Sequence, residues 1–134
     1  MSEVAPAIHA AALWVGLHLL LLLVLSMLVV RQRRTHGVVL GDAAIPELTQ
    51  AVRAFGNATE YVPAGLVAIA VLAMAGAPPM VVHMTGLLLL TGRISHAIGL
   101  SRHGGSSILR SAGIILTWLA YIAGGVALIF YAIP

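Results

Sequence analysis

The stretch AIHAAALWVGLHLLLLLVLSMLVVRQRR, residues 7–34, decides the fold. From Ala7 to Val30 its only ionisable side chains are His9 and His18, and Arg31, Arg33 and Arg34 then follow. A helix crosses a hydrocarbon core of about 30 Å with about 20 apolar residues, so this run reads as a membrane span, and its basic stop marks one membrane face. A cleaved leader is the competing reading. The run is too long for a leader's apolar region, and the residues ahead of it, among them Ser2, Glu3 and Pro6, form no basic cluster. The span is therefore expected to be retained.

The rest of the chain has the same character. Of its 134 residues 60% are hydrophobic and 8% charged, and the mean hydropathy is +1.05, whereas a soluble domain carries about 25% charged residues. The expected fold class is an all-α integral membrane protein, a four-transmembrane-helix bundle forming a single domain over residues 1–134. Its spans are expected at about 7–30, 46–76, 80–100 and 108–133. Pro46 and Glu47 have the character of a first helical turn, GAPPM (Gly76–Met80) breaks the second span, and SRHGGSS (Ser101–Ser107) turns the chain between the third and fourth. So small a bundle has little interior, which points to an oligomer. Arg31, Arg33, Arg34, Arg102 and Arg110 all fall at one end of four antiparallel spans. The positive-inside rule makes that end cytoplasmic and puts both termini on the other side, where Glu3 is the one charged residue. The all-arginine, Ala- and Gly-rich usage suggests a bacterial inner membrane.

Several chemistries are excluded at this level. There is no cysteine, hence no disulfide, thiolate metal site or cysteine nucleophile. No histidine spacing suits a metal. The formal charge of +3 reflects few acids more than a basic surface, so nucleic acid is not an expected partner.

The second span opens with a polar cluster, RAFGNATEY (Arg53–Tyr61). At i, i+4, i+7 and i+8, Arg53, Asn57, Glu60 and Tyr61 share one helix face. An ionisable side chain at a helix centre in a bilayer costs at least about 2.5–3.5 kcal/mol, so such groups face a bundle interior or a wet cavity and usually mark function. One reading is structural: Arg53 pairs with Glu60, and Asn57 bonds a neighbouring helix. The other is a ligand site, since both charge signs with amide and phenol groups suit a zwitterion carrying carboxylates and an amine. Pro63 removes the hydrogen bond to the Thr59 carbonyl and is expected to bend the helix. On the third span Arg93 and His96 lie at i and i+3, and each has a bland alternative, a snorkelling cation and a packing histidine. Arg110 opens the fourth span, a poor place for a cation at a positive helix end, so an anionic partner is expected there. His18 is expected to bond a neighbouring helix. His9 and His83 need no special role, and Trp14, Trp118, Tyr121 and Tyr131 are packing or interfacial residues by default.

The segment PELTQAVRAFGNATEYVP (Pro46–Pro63) resembles the helix-two motif of the MAPEG family, membrane-associated proteins in eicosanoid and glutathione metabolism, whose core is Arg-Ala-x-x-Asn-x-x-Glu-Tyr-x-Pro. VVRQRR after the first span, GRISHAIGL ending the third and Arg110 opening the fourth fall where the family has related features, so the likeness covers essentially the whole chain. The resemblance implies a homotrimer with glutathione, or a related thiol, bound between subunits near the cytoplasmic face. Arg31, Arg53, Asn57, Glu60 and Tyr61, with Arg93 and His96, are then the binding residues, and Arg110 is the catalytic arginine beside the thiolate. A thiol of pKa near 8.5 yields more thiolate, the nucleophile, beside a guanidinium. Lipophilic electrophiles or hydroperoxides would arrive from the membrane lipids, for conjugation, peroxide reduction or isomerisation. His96 and Leu100 stand where well-known eukaryotic members have tyrosines, Phe55 where many bacterial members have histidine, and Gln50 where some members have arginine or another polar residue. Two other functions remain open: a non-catalytic lipid- or partner-binding trimer, and a small proton-coupled transporter built on Glu60.

Overall fold

The computed structural model describes residues 4–102 and 105–133. The readings placed on Ser2, Glu3, His103 and Gly104 lie outside those residues. Among the described residues the chain is four α-helices without strands: α1 (Val4–His36), α2 (Pro46–Met74), α3 (Pro79–Arg102) and α4 (Ile108–Ala132). All four are long and apolar enough to cross a membrane.

The first helix does not stop at its arginines. It runs for 33 residues, about 50 Å at 1.5 Å per residue, because Arg and Gln are strong helix formers and cations suit a helix C-terminus. It ends where Gly37 adopts φ +66° and the Val38 amide donates to the Arg33 carbonyl at 3.0 Å, the left-handed glycine cap. The Arg33 guanidinium then donates to the Val39 carbonyl at 3.1 Å, folding the loop back on the helix end.

Residues 37–45 carry an unusual backbone. Ala43 (φ 49°) and Ala44 (φ 55°) both occupy the left-handed region, which costs an L-residue roughly 1–2 kcal/mol each. Asp42 compensates. One carboxylate oxygen accepts from the Ala44 amide at 3.1 Å and the other from the Thr49 hydroxyl at 2.9 Å, so it holds the strained turn and the first turn of α2 together. These bonds keep its carboxyl below the usual range, the Ala44 bond contributing most. α2 starts with Pro46 in its first turn, and Ile45 at the cap makes no side-chain bond. At the far end Gly76 (φ +80°) reverses the chain into α3. α4 is capped by Ser107, whose hydroxyl accepts the Arg110 amide at 3.3 Å.

α2 and α3 form the centre. α1 packs on both from one side and α4 on both from the other, and α1 and α4 do not meet. The closest approach is α3 on α4, where Gly92 faces Gly113 and Thr117. A Cβ on Gly113 would stand 2.5 Å from the His96 amide nitrogen, so only glycine lets these backbones come this near. On the other side of α3, Gly86 receives the Trp14 ring of α1. The apolar core falls into two parts. One gathers Trp14, Ile69, Leu72, Val82 and Leu89; the other, toward the basic end, gathers Leu25, Ala54, Ala58, Ala97 and Leu100.

Candidate functional site

The most deeply buried cation is Arg93, 1% exposed. Counted from the basic ends of their helices, Asn57, Arg93 and Thr117 lie roughly 14–16 Å in, and they meet. The Arg93 Nε donates to the Thr117 hydroxyl at 2.9 Å and one terminal nitrogen to the Asn57 side-chain oxygen at 2.7 Å. Its guanidinium carbon stands 4.9 Å from the centre of the Tyr61 ring, a cation–π contact. One residue therefore ties α2, α3 and α4 together, and all its partners are uncharged. Its second terminal nitrogen is buried without a partner. The Thr117 hydroxyl in turn donates to the Gly113 carbonyl at 2.9 Å, so the network rests on the glycine contact between α3 and α4.

Tyr121 completes this layer. Its hydroxyl donates to the Tyr61 carbonyl at 2.5 Å, two residues before Pro63. The Tyr61 carbonyl thus draws an interhelical hydrogen bond here. Of the two default roles, Tyr121 takes the packing one, partly buried against the core.

Nearer the basic end, one turn beyond Arg93, His96 opens onto a cavity of about 400 Å³ lined also by Gly105, Ser106, Arg110, Ser111 and Ile114. Small-molecule sites occupy about 300–1,000 Å³. Arg110 is oriented by the Gly105 carbonyl, which accepts from its Nη1 at 2.5 Å. His96 and Arg110 line the same pocket, and Arg93 lies one helical turn away from His96 along α3.

The helix-two stripe divides. Asn57 and Tyr61 are half-buried and turned to Arg93, while Arg53 and Glu60 are exposed on the protomer surface. Glu60 takes its donor from the Asn57 amide, at a long 3.5 Å, and not from Arg53. Arg31 lies apart, in a groove on α1 with Arg34 and Met27. The structure therefore gathers Asn57, Tyr61 and Arg93 into one cluster and His96 with Arg110 into an adjoining one. Within a single protomer it leaves Arg31 and Arg53 outside both, and ties Glu60 to the first only through the long bond from Asn57.

Other expectations are corrected. Arg93 does not snorkel. His18, fully buried, bonds the Trp14 carbonyl of its own helix at 2.6 Å instead of a neighbour. His83 accepts from the Trp14 indole at 3.1 Å and so ties α3 to α1. Sequence reasoning missed Thr117 altogether. Its signal was there: Arg110, Thr117 and Tyr121, at i, i+7 and i+11, line one face of α4.

The fold and site define a bundle of four helices long and apolar enough to cross a membrane, three of them joined by one buried arginine. The MAPEG family model matches residues 11–130, and the chain belongs to the MAPEG family. Among curated proteins it is similar to the inner membrane protein YecN of Escherichia coli K12, 37% identical over 90% of this chain and 91% of the relative. YecN of Escherichia coli O6:H1 matches to the same extent.

Proposed function

We propose that this protein is a membrane-bound, glutathione-dependent transferase with peroxidase capacity, working as a homotrimer. The observation that carries the reading is the pocket of about 400 Å³ lined by His96 and Arg110, one helical turn from Arg93, which is buried with an unpartnered nitrogen. Arg110, with no acidic side chain among the residues lining this pocket, suits an anionic ligand. Glutathione has two carboxylates, one ammonium and a thiol, and the residues on hand match it group by group. Arg53, and Arg31 from a neighbouring copy, suit the carboxylates, Glu60 the ammonium, and Asn57, Tyr61 and His96 the peptide groups.

The exposure of Arg53 and Glu60 on an apolar helix supports assembly. Facing lipid, each would carry a cost of about 2.5–3.5 kcal/mol, which a second copy of α2 and a bound zwitterion remove. In the reaction, Arg110 stabilises the thiolate left when the thiol gives its proton to water. The sulfur then attacks an electrophilic carbon, forming the C–S bond as the leaving group departs with its electron pair. The lipophilic partner is delivered along the bilayer, which holds it near the thiolate. Excess arginine at this end orients it to the cytoplasm, with the termini opposite, in a bacterial inner membrane.

A second reading, a ligand-presenting trimer without turnover, draws on Leu100, which is packed in the core beside Leu25 and Ala54 and offers no hydroxyl. Calorimetric titration of the detergent-purified protein with glutathione, and turnover of an activated aryl halide, separate the two. Binding with turnover supports the transferase, whereas binding without turnover, or no binding at all, refutes it and favours the second reading.

A further inference from the structure

We propose that the groove between α1 and α3 is a specific site for one anionic phospholipid per protomer. It is separate from the thiol site, on the opposite side of α3 from α4, and has a volume of about 260 Å³. Leu25 and Ala97, 5% and 6% exposed, form its floor, and Val24, Leu28, Ile94 and Ile98 form its exposed walls. It ends at Ser101 and Arg102, the last turn of α3.

Its polarity is directional. α1 and α3 run parallel, so Leu21 to Leu28 and Ile94 to Arg102 both advance toward the basic end, roughly 10–12 Å along the groove. One turn past Leu28, Gln32 continues the same face of α1. An aliphatic slot that deepens into the bundle and is closed by a hydroxyl and a guanidinium at the interface matches an acyl chain below and a phosphate above. Apolar packing alone would not distinguish this groove from the rest of the lipid-facing surface. The groove on α1 with Arg31 and Arg34 also ends in cations, but it lacks this one's second helix and its buried floor of Leu25 and Ala97; to that apolar slot Arg102 adds a juxtamembrane cation, worth about 1 kcal/mol toward an anionic headgroup. A phosphocholine lipid meets the same walls but brings no net charge, so the site discriminates by headgroup.

The test is native mass spectrometry of the full-length protein released from detergent in the presence of equal amounts of phosphatidylglycerol and phosphatidylcholine. Wild type is expected to retain one phosphatidylglycerol per protomer in preference to phosphatidylcholine. Arg102→Gln should lower that preference about fivefold, and Ile98→Trp, which fills the groove from its exposed wall, should lower retention of both lipids. Equal retention of the two lipids by wild type would overturn the proposal. So would phosphatidylglycerol retention unchanged in both variants, or a loss of oligomer in Ile98→Trp with lipid retention intact, which would assign the groove to a second copy of the chain.

Discussion

Arg93 illustrates what a single residue does when a bilayer surrounds it. With Thr117, Asn57 and Tyr61 as partners, truncation leaves an acceptor on each of two other helices unpaired as well as a cavity. Arg93→Ala should therefore destabilise the protein by about 3 kcal/mol, read as a lower unfolding midpoint in detergent. Arg93→Lys should recover only part of this, because one ammonium cannot reproduce the fork. Asp42 acts outside the membrane and through pH. Its folded-state pKa lies below the ordinary 3.8, chiefly because of the Ala44 amide. Its stabilisation is thus complete above the unfolded-state pKa and is lost as pH falls through the lower, folded-state value. Melting of wild type should weaken below about pH 4 relative to its plateau, and Asp42→Asn should flatten that part of the profile. The i, i+4, i+8 spacing of Arg53, Asn57 and Tyr61 was readable from helical geometry. The role of Asp42 was not, since nothing in DAAIP foretells two left-handed alanines.

At the scale of elements, contacts between helices are set by the small residues of α3 and α4. Gly113→Ala should push α4 from α3 and break the Thr117 bond to Arg93, costing about 1–3 kcal/mol, whereas Gly16, with no atom near its missing Cβ, should accept alanine with a gain of up to about 1 kcal/mol. Melting of the two variants side by side checks the contrast. Hydropathy reveals the four helices directly, because a bilayer leaves a backbone few other ways to satisfy its hydrogen bonds. It does not reveal their ends. The helix α1 outlives its apolar run by six residues, to His36, because arginines at an interface prolong a helix as readily as they mark the membrane's edge. Nor does it reveal which helices touch: Trp14 finds Gly86 and His83 on α3, a pairing that no local pattern encodes.

The whole molecule joins a finished interior to an unfinished surface. Arg93, Asn57 and Tyr61 are satisfied within one protomer apart from a single buried nitrogen, while Arg53 and Glu60 lie exposed on an apolar helix. Both facts fit a site completed by another copy and a charged ligand. Chemical cross-linking in native membranes should accordingly trap trimers, and Glu60→Gln should weaken glutathione binding while leaving the rate at saturation little changed. Arg110→Ala should do the reverse. The family resemblance of the helix-two motif was legible at once, whereas the division of that motif between interior and surface required the packing. The most direct measurement is the ultraviolet absorbance of thiolate when glutathione is added to the purified protein at neutral pH, with Arg110→Ala alongside. The account predicts a thiolate band with wild type and none with the variant, although calorimetry still detects binding to the variant. A band of equal size in both, or none with wild type at saturating glutathione, would contradict it.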